Sequence, residues 1–417
     1  MARSARGAAC APERQTLQDV TNWLLHEASS IDRVMLMFEE FMWRSRASGV
    51  DVDRATLHIA TLHPQLIGFS WVWNTSDGFC DEIAATAGAR ESAAFKNNPL
   101  SKVMFEGETI VADLETVEGR SSSPLMGELA AEGYTEYVAM PLSAGGDRQN
   151  AITFATKRPG GFPETIAEDT KGLLEVFALH VERHIIQRIA RNVVDTYLGP
   201  NAGARVLSGE IRRGDGEAIK AVIFVSDLRG FTRLTDRLSG PDVATVLNSY
   251  FEVVSSAVLD HGGDILKFIG DGILAVFPTE QLGHSGAAER ALAAARQSLN
   301  GLRELNQAAP EPLDAISAWR PLQAGIALHE GEVFFGNVGA KERLDFTVIG
   351  RAVNETSRVE SLCKQLDRPL LITDPVAAAL GGDTRTGLEL MGAHQLRGVE
   401  KAMNIFAVSI DQPVAAE

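Results

Sequence analysis

Cysteine is scarce in this chain: three residues in 417, Cys10, Cys80 and Cys363, with no metal-binding spacing and no basis for a disulfide framework. No apolar run approaches the roughly 20 residues needed to cross a bilayer. Arg3 and Arg6 are followed by no apolar segment, so a secretory signal is not expected. Positive charge is also short. Lys and Arg number 39 against 55 Asp and Glu, a net charge of −16, which argues against a broad nucleic-acid surface. A nucleotide would have to be held by a few placed cations. These absences predict a soluble, cytoplasmic protein with no membrane span. Internal repeats and low-complexity tracts are missing too. What is present is length: 417 residues, 45% of them hydrophobic, enough for two or more domains with real cores.

Residues 1–15 are small and polar and read as a disordered tail. From Leu17 to Trp43 apolar residues recur at helical spacing. Strand-like runs follow at 54–62, 68–74, 136–142 and 151–156, with a turn at 143–147 joining the last pair. A helical stretch from Pro163 to about Leu198 closes this half and breaks at Gly199-Pro200. His58 and His63 have no third ligand nearby in sequence and read as packing or surface histidines.

The second half alternates strand and helix. "AVIFVSDLRGFTRLTD" (221–236) is a β-branched run suited to a strand covered on both faces, ending in Asp227. A carboxylate there must be solvated, used as a helix cap, or bound to something. A helix opens near Pro241. In "HGGDILKFIGDGILAVFP" (261–278), apolar runs flank Gly270-Asp271-Gly272, the pattern of a hairpin. Asp271 is a turn residue on that reading alone. Two strand-end acids can also converge on a divalent cation, since Mg²⁺ takes one or two carboxylates with substrate phosphates completing its shell. A helix at 285–308, strands at 322–330, 332–339 and 344–350, a helix at 352–365 and strands near 388–396 and 404–409 complete a β-α-β-β-α-β order with additions. On "RAVNETSRVESL", Asn354 and Arg358 are four apart and share a helix face: a solvated polar face, or a donor pair for one small ligand. Lys267, inside "ILKFIG", must snorkel, pair or meet a ligand.

On "VSDLRGFTRLT", "GGDILKFIGDGILAVFP" and "FTVIGRAVNETSRVE", in that order and spacing, the stretch from about 217 to 409 resembles the catalytic domain of the class III nucleotide cyclases. The resemblance implies an α+β fold with a ferredoxin-like βαββαβ core, and a head-to-tail homodimer with two composite active sites. It implies two Mg²⁺ or Mn²⁺ per site, held by Asp227 and Asp271 with the carbonyl of Leu228 assisting. Phe231 and Thr232 match the loop that cradles the phosphates. Asn354 and Arg358 match the pair that orients the ribose and stabilises the transition state. Lys267 and Thr347 match the purine-reading positions, in the combination of bacterial adenylate cyclases that use Thr. The C-terminal loop "LRGVEKAMNIF" departs from the family pattern, in which a Lys follows the Gly closely; Arg397 or Lys401 is left for that triphosphate contact.

The chemistry of the bases agrees with ATP as substrate. Lys can donate to adenine N1 and a Thr hydroxyl can accept from N6. Guanine N1 is a donor, which Lys would leave unpaired, and such mismatches discriminate strongly. The implied reaction converts ATP to 3′,5′-cyclic AMP and pyrophosphate. The alternatives are a guanylate cyclase, or a catalytically inactive cyclase-like module that binds nucleotide or a partner. "HGGDIL" is superficially similar to the GGDEF motif of diguanylate cyclases but lacks the acid-aromatic pair after Asp264. Residues 16–182 more loosely resemble a GAF domain, an α/β sensor whose ligand no residue set identifies. The expected organisation is therefore a tail (1–15), a GAF-like regulatory domain (16–182), a helical linker (183–214) and the cyclase domain (215–417).

Overall fold

The computed structural model describes residues 2–4, 11–86, 88, 98–143, 150–308, 310–316, 319–382, 385 and 387–410. The chain divides into two compact units, Met1–Thr196 and Tyr197–Glu417.

In the first unit, strand β1 (Ala2–Ser4) precedes helices α1 (Leu17–His26) and α2 (Val34–Ala47). Strands β2 (Arg54–Ala60), β3 (Leu66–Asn74) and β4 (Cys80–Thr86) follow. Then come α3 (Leu100–Glu106), β5 (Ile110–Asp113), α4 (Val117–Ser121), α5 (Pro124–Ala131), β6 (Glu136–Leu142), β7 (Asn150–Thr156) and α6 (Ile166–Leu198). The strands form one sheet in the order β1-β4-β3-β2-β7-β6-β5. Its core gathers Trp23, Phe38, Trp71, Trp73 and Phe177, with Phe41 stacked on Phe177 at 4.2 Å.

Two expectations change here. The tail contains a strand at its start: β1 pairs with β4, fastened by an Arg3–Asp81 ion pair at 2.6 Å and by Ser4 donating to buried Glu39 at 2.8 Å. The helical stretch from Leu17 is two helices, because a 3-10 turn at Ala28–Ser30 interrupts it. His58 is a packing residue. Its ring bonds Thr56 and Ser70, both at 2.7 Å, and burial lowers its pKa to about 4. Of the expected turn at 143–147, all but Ser143 lies outside the described residues.

The second unit opens with α7 (Pro200–Leu207), β8 (Gly216–Leu228), α8 (Phe231–Thr235) and α9 (Gly240–Asp260). The hairpin β9 (Asp264–Ile269) and β10 (Gly272–Pro278) leads to α10 (Thr279–Ala308), which has a break at Gly283. After it come β11 (Ala324–Gly339), β12 (Leu344–Ile349), α11 (Arg351–Gln365), β13 (Leu370–Thr373), α12 (Asp374–Ala379), β14 (Leu388–His394) and β15 (Met403–Val408). The sheet runs β14-β15-β13-β11-β8-β10-β9, with β12 added on β11. Its centre, β11-β8-β10-β9, is antiparallel and carries the βαββαβ connectivity of a ferredoxin-like core.

Strand β8 explains why both faces are covered. Val222, Phe224 and Leu228 pack under α9 and α10, whereas Ile219, Ala221 and Ile223 pack on the opposite side with Phe335 and Ala352. Ser239 caps α9, accepting from the Asp242 N–H, and Pro241 occupies its first turn.

The two strands expected at 322–330 and 332–339 are one strand. Gly331 continues the ladder opposite Ala221, and a Cβ there would come within 2.6 Å of Ala352 Cβ. That glycine admits α11 and does not make a turn. The expected linker also divides differently. Helix α6 passes residue 183 without a break, and Ala202 of α7 is fully buried in the second unit's core, with Leu198 and Val206 beside it. Residues 197–214 therefore fold with the second unit.

Candidate active site

Asp227 ends β8 opposite Gly272 of β10 and Gly325 of β11. Asp271 occupies the hairpin turn, where Gly270 adopts φ +62°. The hairpin folds back along β8, and that brings the two carboxyls close enough for Asp271 to act on the pKa of Asp227. Burial, with Asp271 alongside, raises the Asp227 carboxyl to about 6, and burial raises Asp271 as well. The Leu228 N–H donates to the Asp227 carboxyl, while the Leu228 side chain is buried, leaving only backbone for a ligand. Behind this corner Ser226 Oγ and Tyr250 OH lie 2.6 Å apart in the core.

A third acid faces the pair. Glu360 of α11 is raised to about 7 by burial and by the nearby Asp227 and Asp271, with Arg229 opposing. Gly325, the ladder partner of Asp227, leaves room for it, since a Cβ at Gly325 would meet Glu360 Oε1 at 2.6 Å. Among the described residues no group of three potential ligands is arranged as a closed metal cage. Two adjacent half-buried carboxyls with raised pKa, neither of them ion-paired among the described residues, fit an open divalent site completed by phosphate oxygens.

Phe231 and Thr232 open α8 immediately after Gly230, whose φ of +77° turns the chain out of β8. Lys267 lies opposite Leu274, which lies opposite Val225, so Lys267 shares the face of β8 that carries Asp227. Its Nζ donates to Asp345 Oδ2 at 3.0 Å. Asp345 and buried Thr347 alternate with Phe346 on β12 and therefore share a face, so Lys267 reaches the strand that carries Thr347.

Helix α11 presents Asn354 exposed and Arg358 half-exposed, with Ala352 and Val359 buried beneath them. Its position is fixed by Glu355, 7% exposed. That carboxylate takes Arg351 Nε at 2.7 Å and His329 Nε2 at 3.2 Å, while His329 Nδ1 bonds the Thr373 hydroxyl at 2.8 Å. Burial holds His329 below its ordinary pKa. Buried Leu396 and Val399 anchor the loop between β14 and β15 against α11's Val359 and Cys363. Arg397 and Lys401 project from this loop into solvent. Arg358 Nη2 approaches to 4.0 Å from where a Cβ on Gly398 would stand, so Arg397 is the loop cation next in sequence to that contact.

Sequence reasoning missed Glu360, Asp345 and the His329–Glu355 pair. Glu360 had a signal, falling one helical turn after Thr356 on the inward side of α11. Asp345 had only its i, i+2 relation to Thr347.

Residues 217–409 match the family model described as the adenylate and guanylate cyclase catalytic domain. The chain is 32% identical over 198 residues to a terminal-differentiation-specific adenylate cyclase of Dictyostelium discoideum, covering 47% of this chain and 9% of that protein. It is 32% identical over 201 residues to an adenylate cyclase of Anabaena cylindrica, covering 48% and 38%. The match thus spans well under half the length of these relatives. Among solved structures, a bacterial light-regulated adenylyl cyclase is similar at 26% identity and a TM-score of 0.46, covering 58% of this chain and 66% of that one. The guanylyl cyclase Cya2 is similar at 32% identity and a TM-score of 0.39, covering 46% and 93%. The second unit carries a class III adenylate/guanylate cyclase catalytic domain.

Proposed function

We propose that the chain is an adenylate cyclase that closes ATP to 3′,5′-cyclic AMP and pyrophosphate in a homodimer. The observation that carries this reading is the half-buried pair Asp227 and Asp271, held close enough for Asp271 to raise the pKa of Asp227, with Glu360 of the adjacent helix α11 beside them. The Dictyostelium discoideum and Anabaena cylindrica relatives are named adenylate cyclases, which supports ATP.

Asp227 and Asp271, with the Leu228 carbonyl, would hold two Mg²⁺ or Mn²⁺. When bound, these ions neutralise the triphosphate and acidify the ribose 3′-hydroxyl. Lys267 donates to adenine N1 and the Thr347 hydroxyl accepts from N6. Asn354 orients the ribose so that its 3′-oxygen lines up with the α-phosphorus. That oxygen forms the new P–O bond, its proton passes to solvent, and the bond to the pyrophosphate oxygen breaks. Arg358 meets the charge growing on the α-phosphoryl oxygens, and Arg397 or Lys401 with the Phe231–Thr232 loop holds the leaving phosphates. No protein nucleophile is needed.

The dimer reading rests on exposed apolar side chains near the site: Phe268 at 52%, Ile269 at 59% and Ile349 at 47% exposure. The first unit would act as a GAF-like sensor or dimerisation platform with a ligand yet to be identified. Its signal would pass through α7, which begins beside the hairpin strand leading to Asp271: a Cβ on Gly199 would stand 3.5 Å from Asp264 Oδ1 and 3.2 Å from the Ile265 carbonyl. No helix among the described residues is long and apolar enough to cross a membrane. ATP supply is in keeping with a cytoplasmic location.

One observation favours a second reading. The Asp345 carboxylate beside Lys267 is an acceptor of the kind that guanine N1–H and N2–H would need, which would make the enzyme a guanylate cyclase. Product analysis decides. Purified chain incubated with ATP or GTP and either cation is expected to release cyclic AMP and equimolar pyrophosphate, with kcat/KM at least about tenfold above that for GTP. Cyclic GMP in excess selects the second reading, and no cyclic nucleotide from either substrate leaves a binding module.

A further inference from the structure

Helices α9 and α10 line an open pocket of about 710 Å³ that none of the catalytic residues lines. Its size is in the range of small-molecule sites. Arg296 of α10 lines it at 7% exposure, and its buried Nε and Nη2 have no hydrogen-bond partner among the described residues. Two of the three guanidinium nitrogens are thus buried without an acceptor, which is costly, because their desolvation is repaid best by a paired anion. Burial depresses its pKa, with no charged neighbour opposing the shift.

The surrounding groups do not supply that anion. Gln297, the next residue, donates to Asp260 at 3.0 Å and bonds His261 at 2.8 Å, so this carboxylate is already engaged. Glu304 also lines the cavity, but it is eight residues further along α10, about 12 Å of helix rise from Arg296. The remaining wall is largely apolar, with Val253 and Leu305 on it and Asn300 as a further polar group. A guanidinium at one end, an apolar wall and a carboxylate at the far end select the charge and shape of the occupant. A dianion would be repelled by Glu304, and a neutral apolar molecule would leave Arg296 unpaired.

We propose that this cavity binds a small apolar monocarboxylic acid, its carboxylate paired with Arg296 and its body packed along Val253 and Leu305. The site does not depend on the cyclase reading, and nucleotide is left out of its test.

The probes are benzoate and hexanoate, with inorganic phosphate and chloride as controls, titrated into the full chain by calorimetry and followed by thermal melting. Saturable binding of at least one acid, with a raised melting temperature and no effect of chloride, is expected. In Arg296→Met the unliganded protein should melt higher, because the unpaired buried cation is gone, and affinity for the acid should fall at least about tenfold. Arg296→Lys keeps the charge but loses the planar fork, and should bind more weakly than wild type. The proposal is overturned if neither acid binds saturably, if phosphate binds as tightly as the acids, or if both variants bind with wild-type affinity.

Discussion

The ammonium of Lys267 on β9 donates to the carboxylate of Asp345 on β12 at 3.0 Å, two residues before Thr347 on the same face of that strand. The pair ties the hairpin carrying Asp271 to the strand carrying Thr347, the second side chain proposed to read the base. It also keeps the Lys267 ammonium aimed. Asp345→Asn should therefore raise KM for ATP by about three- to tenfold with a smaller change in kcat, the loss of one charge-assisted bond to a positioned donor. An unchanged KM in steady-state kinetics would remove Asp345 from the site.

Specificity should follow the same residues. Lys267→Glu with Thr347→Cys offers guanine an acceptor, but the new Glu would face Asp345 and be driven towards its neutral form. The exchange should shift preference towards GTP more strongly when Asp345→Asn is also present. Ratios of kcat/KM for ATP and GTP in the double and triple variants check this, and equal ratios in wild type and triple variant would contradict it.

The acid cluster predicts a pH dependence with a definite sign. Asp227 rises from 3.8 to about 6 and Glu360 from 4.5 to about 7, so the folded state holds these protons more tightly than the unfolded chain. Their contribution to stability is complete below about pH 4 and is lost as pH rises through about 6 to 7. In chelator, melting temperature should fall over that window, and Mg²⁺ or Mn²⁺ should restore it more at about pH 8 than at about pH 5. Asp227→Asn should flatten the slope and abolish the response to the cation. Differential scanning calorimetry across pH tests both, and a cation response that survives in the variant would contradict the site.

Glu355 serves as a positioning residue for Asn354, its neighbour in sequence. The geometry suits a neutral His329 whose Nε2–H donates to Glu355 while Nδ1 accepts from Thr373. Glu355→Gln keeps the shape of the contact and should fold, with kcat down about tenfold and KM nearly unchanged. Glu355→Ala leaves His329 without its buried partner and should cost about 3 kcal/mol of stability or more. Denaturant melts and steady-state kinetics separate the two effects, and wild-type kcat in Glu355→Gln would assign Glu355 to stability alone.

Much of this architecture is written locally. The hairpin is legible because β-branched runs flank Gly270-Asp271-Gly272, and α11 because Ala352, Thr356, Val359 and Cys363 repeat at helical spacing. What escaped depends on packing. Gly331 resembles a turn signal until α11 is laid across it, and β13, "LLIT", is too short to announce itself. Ala202 gives no local sign of joining the catalytic core. Asp345 and Glu360 gain meaning only when the sheet brings β12 to Lys267 and when α11 faces Asp227. Asp227 and Asp271 were legible as strand-end carboxylates, but their proximity to each other was not.

The central claim is that the metal acids of one chain act with Asn354 and Arg358 of a second copy. Asp227→Ala and Asn354→Ala should each be inactive alone, because both sites of either homodimer lack one group. Mixed at equal concentrations with subunit exchange confirmed by differential tags, about half the dimers pair the two variants, and each of those holds one intact site. Cyclic AMP formation from ATP should then recover to roughly a quarter of the wild-type rate. No recovery, with exchange demonstrated, would place the whole site within one chain and contradict the account.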